Sequence, residues 1–398
     1  MPKKFSLDAA MFVVVLLMAF AVPLSTAAAS IAVGLGVLFI AVNFARTRKL
    51  PTFDAKILEV LALYLVCQVI TALTSWEVLT SLREVLGEVH RFFPLLFAMT
   101  FIKRREQLCG VLIVSLVAFL INDAAGIWQV INGKPRAYGF NHTPTFYGSF
   151  MLMQLPIMIF MARSEILPML WKRLAVFGAA LSLVCLVLSM TRGAWLALVA
   201  TALVFVLMER RYLRVTAKIF AGLAIIFLLV TIFSPRLQDR LITLTDANFQ
   251  SNSERVLMWQ SAAEIFRDYP LTGVGQKMFF RAYNEEYISP DAQERPGEDM
   301  RGHTHPHNNF LHRASEGGLI GLLSFVGLYV YFFREFFLQW RRERNAFGAG
   351  ITAFLMLAAL QFEGLTDTNM NQVPIMREFW LLAGTMIAAE GLMKSDTR

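Results

Sequence analysis

Histidine is concentrated in one polar stretch of the sequence. Four of the six histidines lie between His303 and His312, and His303, His305 and His307 occupy alternate positions. The surrounding polar segment, residues 234–313, also contains several arginines, among them Arg255, Arg281, Arg295 and Arg301. Imidazole can take a proton from a hydroxyl group near neutral pH, and guanidinium binds phosphate through a planar pair of hydrogen bonds without losing its charge. The combination predicts acid–base chemistry on an anionic substrate.

The rest of the sequence is apolar and predicts a membrane protein. Of 398 residues, 56% are hydrophobic and 17% are charged, whereas a soluble domain is about one-quarter charged. About twelve apolar segments are long enough for a transmembrane helix of about 20 residues. They begin near Ala9, Ala27, Ile57, Phe92, Gly110, Phe146, Ala175, Ala194, Thr216, Gly317, Gly348 and Phe379. We therefore predict an all-α polytopic membrane protein with a large helical loop, residues 234–313. Barrel strands would alternate apolar and polar residues, and these segments do not.

The net charge of +8 fits a membrane topology. Basic residues cluster in short loops between alternate apolar segments, such as Arg46 to Lys56 and Arg210 to Lys218, which the positive-inside rule assigns to the cytoplasm. Both termini are predicted on that side. Because topology explains the charge, we expect no nucleic acid to bind. The unusual polar loops, among them Glu363 to Arg377, fall on the opposite side, where we expect the active site.

Arg192 and Arg255 are the first candidate anion ligands. Arg192 stands between two apolar segments, within Ser189 to Trp195, where an arginine can extend to the lipid headgroups or bind a ligand beside small neighbours. Arg255 is expected in the first turn of a helix that starts with a capping box at 251–254. It can stack on Trp259, or share the positive helix end with a phosphate group. Both alternatives remain open for Arg255.

A second outer loop, Lys134 to His142, contains Arg136, Tyr138 and His142. Glycine, proline and asparagine in this loop are ordinary turn residues. Arginine, tyrosine and histidine together also suit sugar stacking and phosphate contact. We treat Arg136, Tyr138 and His142 as candidate substrate-binding residues.

His307 is the candidate general base, and His305 is a candidate substrate-binding residue beside it. Histidines at alternate positions of an extended segment would also point the same way, as a metal site requires. No CxxC or HExxH motif accompanies them, so we predict no bound metal. Plain hydrogen bonding by neutral histidines is the alternative. His312 is predicted to be a solvated or interfacial residue.

Local elements are predicted around these residues. Ser75 to His90 has an apolar face typical of an interfacial amphipathic helix. Lys277 to Tyr287 is predicted as a short helix, and Pro290 to Gly302, rich in charge and helix breakers, as a mobile connection. The helix that follows the histidines is expected to continue into the tenth apolar segment through Gly317 and Gly318.

Short motifs of the chain resemble the bacterial O-antigen ligase family. They are, in chain order, Thr191-Arg192-Gly193-Ala194-Trp195, Arg255-x-x-x-Trp259, Pro270-Leu271-Thr272-Gly273-Val274-Gly275, and His307-Asn308 separated by nine residues from Gly318-Leu319-Ile320-Gly321. The ligase and polymerase domain would cover residues 175–331, between N-terminal helices in 1–174 and C-terminal helices in 332–398. Asn308 and Trp259 belong to these motifs and are taken as candidate substrate-binding residues.

The resemblance implies a GT-C-like glycosyltransferase of the bacterial inner membrane that needs no metal or other cofactor. Such an enzyme transfers a polysaccharide from the donor, undecaprenyl pyrophosphate-linked O-antigen, to a sugar hydroxyl of lipid A-core on the periplasmic face of the bilayer. In this chain Arg192 and Arg255, helped by Arg136, would hold the pyrophosphate. His307 would activate the acceptor hydroxyl, with inversion at the donor carbon.

Other functions remain open on the sequence. An O-antigen polymerase or a protein O-oligosaccharyltransferase uses similar chemistry with a different acceptor. A membrane carrier would bind its substrate near the bilayer midplane, where these segments contain few charges. The outer loop could also be a docking surface for proteins, although its arginines and histidines favour an anionic ligand.

Overall fold

The computed structural model describes residues 6–232, 235–242, 250–293 and 304–394, and every long element in these ranges is an α-helix. The helices of the first half are α1 Leu7–Ala21, α2 Thr26–Thr47, α3 Ala55–Leu73, α4 Val78–Phe101, α5 Arg105–Ile131, α6 Pro144–Arg163, α7 Met169–Leu188 and α8 Arg192–Met208. Those of the second half are α9 Leu213–Ile232, α10 Pro235–Ile242, α11 Gln250–Asp268, α12 Phe279–Ala282, α13 Pro290–Gln293, α14 Asn309–Glu343, α15 Ala349–Glu363 and α16 Val373–Lys394. The predicted all-α fold is confirmed.

Each of the predicted apolar segments corresponds to a helix, but not every helix is long and apolar enough to cross a bilayer by itself. Among the described residues, six helices meet that criterion, namely α2, α3, α5, α6, α7 and α14. A seventh span is possible if α8 and the first part of α9, bent by 118° relative to each other, are taken together. Helices α1 and α15 are apolar but shorter. The described part of the chain is therefore a multi-pass membrane protein.

The helices pack around one apolar core, and the loop helices add a small core of their own. Helix α4 packs against α16, α6 against α7, and α14 against both α3 and α15. Fully buried aromatic side chains such as Phe97, Phe332 and Trp380 fill the interior. Met258, Ile265, Phe279 and other residues of α11 and α12 form the second cluster. The described part of residues 234–313 therefore has a packed apolar core of its own.

Helix α14 is broken where the sequence predicts it to continue into the bilayer. Gly318 has φ 58° and ψ −154°, which is not helical. The break leaves backbone groups on both sides without their helical partners. The segment Pro270–Gly275 satisfies them through four hydrogen bonds: Val274 N to Ser315 O, 3.1 Å; Gly275 N to Glu316 O, 2.9 Å; Leu319 N to Pro270 O, 2.8 Å; Ile320 N to Leu271 O, 3.1 Å. Two motifs distant in sequence therefore form one junction.

We expect Gly318→Ala to destabilise the protein by about 1–3 kcal/mol or more, because only glycine adopts this conformation without strain. A Cβ atom at position 318 would also lie 2.4 Å from the carbonyl carbon of Leu271. Gly327→Ala on the same helix is the matched control, since its Cβ would meet no atom within 4 Å. Thermal unfolding in detergent measures both variants. Equal unfolding temperatures for the two would contradict the importance of the junction.

Some local predictions are wrong, and others are confirmed. Ser75 to His90 is not a separate helix, because Val78–Phe101 forms one helix in which Glu88 is buried in ion pairs with Arg91 and with Arg313. The placement of its first half at the membrane interface stays a prediction. The short helix predicted at Lys277 to Tyr287 is confirmed as α12 and a following π-helical turn.

Two further predictions concern segments that lie next to, or partly among, the residues outside the described ranges. Helix α11 already includes Gln250, so the helix start predicted at the capping box, 251–254, is wrong. Of the predicted mobile connection, Pro290 to Gly302, residues Pro290–Gln293 form α13, and the remainder lies outside the described residues. Arg295, Arg301 and His303 lie outside them as well.

Candidate active site

A polar cleft of about 440 Å³ opens at one end of the helix bundle. The first turns of α6 and α8, the last turn of α15 and one side of α11 surround it. It is lined by the arginines Arg136, Arg192 and Arg255, the acidic residues Glu363 and Asp367, and by Thr145, Met190, Thr191, Gly193 and Thr366. The three arginines that the sequence analysis singled out thus face one cavity.

Arg192 is held at the start of α8. It is the first residue of the helix and is only 8% exposed. Its Nη2 donates a hydrogen bond to Asn252 Oδ1 on α11, at 2.9 Å. The amino-terminal end of a helix carries a partial positive charge, which adds to that of the guanidinium. Arg192 therefore joins a helix end and a charged side chain at the cleft, an arrangement suited to an anion.

Arg136 enters the cleft from the loop between α5 and α6. Its Nε donates to the backbone oxygen of Ser189 at 2.7 Å, and its Nη2 donates to Thr191 Oγ1 at 3.2 Å. The Thr191 hydroxyl donates in turn to Pro144 O at 3.0 Å. These bonds tie the loop to the turn that precedes Arg192, and they fix the two arginines relative to each other.

Arg255 reaches the cleft from α11. Because α11 includes Gln250, Arg255 lies in the second turn and not in the first turn as predicted. The half-buried Trp259, one turn later, donates its indole N–H to Pro306 O at 2.8 Å. The contact seen for Trp259 is therefore structural: it connects α11 to the histidine segment, so that Arg255 and His307 are carried by linked elements.

His307 forms a hydrogen-bonded pair with Asp367. His307 Nδ1 lies 3.1 Å from Asp367 Oδ1, and the imidazole is 30% exposed whereas the carboxylate is 8% exposed. Thr368 N donates to the same carboxylate oxygen at 2.7 Å. Burial raises the pKa of Asp367, but the hydrogen bond and charge of His307 and the charge of His305 outweigh it, so the pKa lies below its ordinary value. An ionised Asp367 can hold the imidazole with its Nδ1–H donating.

The sequence analysis did not identify Asp367. It lies 60 residues after His307, in a segment where the sequence shows polar residues between α15 and α16 without a motif. The only signal was that this segment, Glu363 to Arg377, belongs with the outer polar loops. A partner that is distant in sequence can be found only through the fold.

Asparagines fix the histidine segment on the Asp367 loop. Asn308 caps α14: its Oδ1 accepts from Phe310 N at 2.9 Å and Leu311 N at 3.0 Å, and its Nδ2 donates to Leu365 O at 3.0 Å. Asn309 Nδ2 donates to Asn369 Oδ1 at 2.8 Å. The contacts seen for Asn308 are thus structural. They also help to hold His307 in a left-handed backbone conformation with φ 50°.

His305 packs beside the pair. Its ring lies 4.5 Å from the ring of His307, edge to face. His305, His307 and Asp367 each offer one ligand atom, and these atoms lie within 4.8 Å of one another. Two imidazoles and a carboxylate are a donor set that a divalent cation such as Zn²⁺ accepts. The structure is thus compatible with a metal site at these three residues, where the sequence predicts none.

The remaining candidates lie apart from the cleft lining. His142 is exposed, and Tyr138 is half-buried with its backbone N–H bonded to Gln129 Oε1 at 3.0 Å. Arg281 forms ion pairs with Glu77 and Glu285. His312 is 2% exposed, so its prediction as a solvated or interfacial residue is wrong. It is buried because the helical turn before Gly318 packs against α12, where the His312 ring meets Phe279.

Asp367→Asn is expected to lower the stability of the protein at neutral pH and at about pH 5, because a buried charged hydrogen bond is lost. The folded state lowers the pKa of Asp367. Its stabilising contribution is therefore present above the ordinary aspartate pKa of about 3.9 and disappears as the pH falls through the lowered value. Thermal unfolding of both proteins from about pH 3 to 7 measures this. A difference already absent near pH 5 would contradict the lowered pKa.

The fold and the cleft define a class: a helical multi-pass membrane protein with an arginine-lined cavity and a histidine–aspartate pair at one end of its bundle. Residues 177–326 match the model of the O-antigen ligase family, as the motifs predicted. The matched stretch contains Arg192, Arg255, His307 and the Gly318 break. No curated protein matches the chain.

Proposed function

We propose that this protein is an O-antigen ligase that transfers a polysaccharide from undecaprenyl pyrophosphate to a sugar hydroxyl of lipid A-core. The family domain supports a transferase of the O-antigen ligase or polymerase type. The cleft is the observation that supports ligase activity. Three arginines line it together with Asp367, the hydrogen-bond partner of His307. Cations for a leaving diphosphate and a base for a hydroxyl are thus brought together.

The arginines have the task of holding the diphosphate. When the bond from the anomeric carbon to the diphosphate oxygen breaks, negative charge grows on the leaving group. Fixed guanidinium groups in a buried cavity stabilise that charge more than water does. Arg192 and Arg255 come from different helices, and Arg136 is held by hydrogen bonds to the turn that precedes Arg192. Their planar groups can bind phosphate oxygens in pairs.

His307 has the task of the general base. With Nδ1–H donated to Asp367, its Nε2 lone pair takes the proton of the acceptor hydroxyl. The hydroxyl oxygen attacks the anomeric carbon from the side opposite the diphosphate, so one C–O bond forms, one breaks and the configuration inverts. Asp367 stabilises the imidazolium that results, as the buried acid of a catalytic triad does.

An apolar groove supports a lipid-linked donor. It encloses about 1110 Å³ between α6, α8, α9 and α15, and its lining includes Leu152, Leu198 and Ala359. Ala359 lies one turn before Glu363, which lines the cleft, so the groove and the cleft share helix α15. The isoprenoid chain of the donor fits a groove of this character while its diphosphate lies among the arginines.

The proposal includes the wider architecture. We propose about twelve transmembrane helices in a GT-C-like arrangement, with both termini in the cytoplasm and the cleft on the periplasmic face of the bacterial inner membrane. Within it, residues 175–331 form the ligase domain between helical regions 1–174 and 332–398. Helices α1, α4, α8, α9, α15 and α16 would supply the spans beyond the six that qualify by length and hydropathy alone.

Transfer with purified components tests the function. We expect the protein to join undecaprenyl pyrophosphate-linked O-antigen to lipid A-core, and to do so equally in the presence of a chelator. Loss of activity on chelation with recovery on adding Zn²⁺ would instead assign His305, His307 and Asp367 to a metal site. Replacing lipid A-core by a second lipid-linked glycan or by a protein separates ligase from polymerase and from O-oligosaccharyltransferase. Uptake into proteoliposomes without transfer would favour a carrier.

A further inference from the structure

We propose that Glu363 is a further donor-binding residue whose neutral carboxyl group donates a hydrogen bond to the diphosphate. This inference rests on the proposed function, because it places a diphosphate in the arginine cleft. The arginines bind the diphosphate through their positive charge. Glu363, in contrast, is an acid that can bind an anion only while it keeps its proton. Donor binding would then be coupled to proton uptake.

The position of Glu363 is the first argument. It is the last residue of α15, its side chain is fully buried, and it lines the cleft with the three arginines. Its Oε2 accepts hydrogen bonds from Ser149 Oγ at 2.6 Å and from Asn369 Nδ2 at 2.9 Å. Its Oε1 has no hydrogen-bond partner among the residues that the structure describes. One half of the carboxyl group is therefore used by the fold, and the other half is available to a ligand.

The ionised form of the Glu363 carboxyl group is disfavoured at this buried position. Native proteins pair almost all buried polar atoms, and a buried carboxylate with an unpartnered oxygen is strongly disfavoured. Asp367, one turn later in the chain, carries a negative charge at the same cavity. Arg136, Arg192 and Arg255 face the cavity and oppose this effect, but a bound diphosphate takes up their charge. In the donor complex the neutral acid is the form that fits.

The hydrogen bonds of Glu363 show which of its carboxyl oxygens carries the proton of the neutral acid. The Ser149 hydroxyl and the Asn369 amide both donate to Oε2, so Oε2 acts as the acceptor. The proton of the neutral acid is then carried by Oε1, the atom without a protein partner. An O–H group facing a phosphate oxygen forms a strong, charge-assisted hydrogen bond. The same oxygen, if ionised, would repel the phosphate.

Glutamine is the informative replacement. In Glu363→Gln the amide oxygen can keep both bonds made by Oε2, and the amide N–H₂ can donate where Oε1–H donates. In Glu363→Ala both functions are lost. We expect full-length Glu363→Ala to bind inorganic pyrophosphate about tenfold or more weakly than Glu363→Gln, the loss expected for one hydrogen bond to a charged group. Glu264→Gln, at an exposed position of α11, controls for the change in net charge.

The pH dependence identifies the proton. Pyrophosphate itself titrates, so the measured quantity is the ratio of wild-type to Glu363→Gln affinity at each pH. We expect this ratio to fall as the pH rises from about 6 to 9, around the neutral range where perturbed carboxyl groups titrate, because only the wild type must hold a proton to bind. Infrared spectroscopy gives a second readout. The carbonyl band of a protonated carboxylic acid should change on adding pyrophosphate to the wild type and be missing from Glu363→Gln.

The outcomes separate this inference from the proposed function. Equal losses in Glu363→Gln and Glu363→Ala, with both proteins folded, would show that the ionised group acts and would overturn the inference. A ratio independent of pH would overturn it as well. If Arg192→Gln and Arg255→Gln lose pyrophosphate binding while the Glu363 variants retain it, only the inference fails. If the arginine variants bind pyrophosphate as well as the wild type, the proposed function fails too.

Discussion

His307→Asn is expected to reduce the rate constant of transfer about 10²- to 10⁴-fold, the usual contribution of a positioned general base. The affinity for the donor should change little, because His307 acts on the acceptor hydroxyl. Asparagine is chosen because His307 has φ 50°, a left-handed conformation that asparagine tolerates better than alanine. The variant therefore removes the imidazole and leaves the backbone as it is. Steady-state transfer with defined donor and acceptor lipids measures the effect.

Two comparison variants make this result interpretable. Lys277→Asn alters another left-handed residue, with φ 66° and an exposed side chain, and should transfer at the wild-type rate. His305→Asn tests the neighbouring imidazole and is expected to cost less than His307→Asn, because Asp367 bonds to His307. A His307→Asn protein that transfers at the wild-type rate would remove the base assignment. A larger loss in His305→Asn would move it to His305.

Arg192→Gln and Arg255→Gln are each expected to reduce transfer about 10²- to 10³-fold, as loss of one preorganised donor to a developing anion does. Lysine should restore little at either position, because a point charge cannot reproduce two parallel hydrogen bonds. The double variant should lose less than the sum of the single losses, since both side chains act on one diphosphate. Donor saturation curves and single-turnover rates would measure binding and chemistry separately.

Arg267→Gln is the matched control for Arg255→Gln. It removes the same charge from the same helix, but its side chain is 79% exposed and lies beside Asp268. We expect it to transfer like the wild type. If Arg255→Gln and Arg267→Gln lost activity equally, the net charge of α11 would be the cause, and Arg255 would have no specific contact with the donor.

The class of fold was predictable because it depends on local composition. Apolar segments of spanning length define helices wherever the chain runs, and each of the predicted segments is a helix. The arginines were also within reach of the sequence, because the positive-inside rule predicts that Arg136, Arg192 and Arg255 lie on one side of the membrane. Their meeting in a single cleft could be hypothesised but required the packing of α6, α8 and α11.

The parts that could not be predicted are pairings between distant segments. Asp367 meets His307 across 60 residues, and Glu363 is an ordinary helix-end residue until Ser149 and Asn369 are seen beside it. The amphipathic pattern of Ser75 to His90 did not reveal that the helix continues to Phe101, or that Glu88 on its polar face forms a buried ion pair. Hydrophobic periodicity reports that a face is polar, and only the tertiary structure reports what neutralises it.

The junction between Pro270–Gly275 and the broken helix α14 limits how the protein can move. Four main-chain hydrogen bonds cross it, and separating the two segments would leave their amides and carbonyls without partners beside an apolar core. Residues 270–275 and the two parts of α14 on either side of Gly318 are consequently expected to move together as one rigid unit. A chemical crosslink across the junction should therefore leave turnover intact.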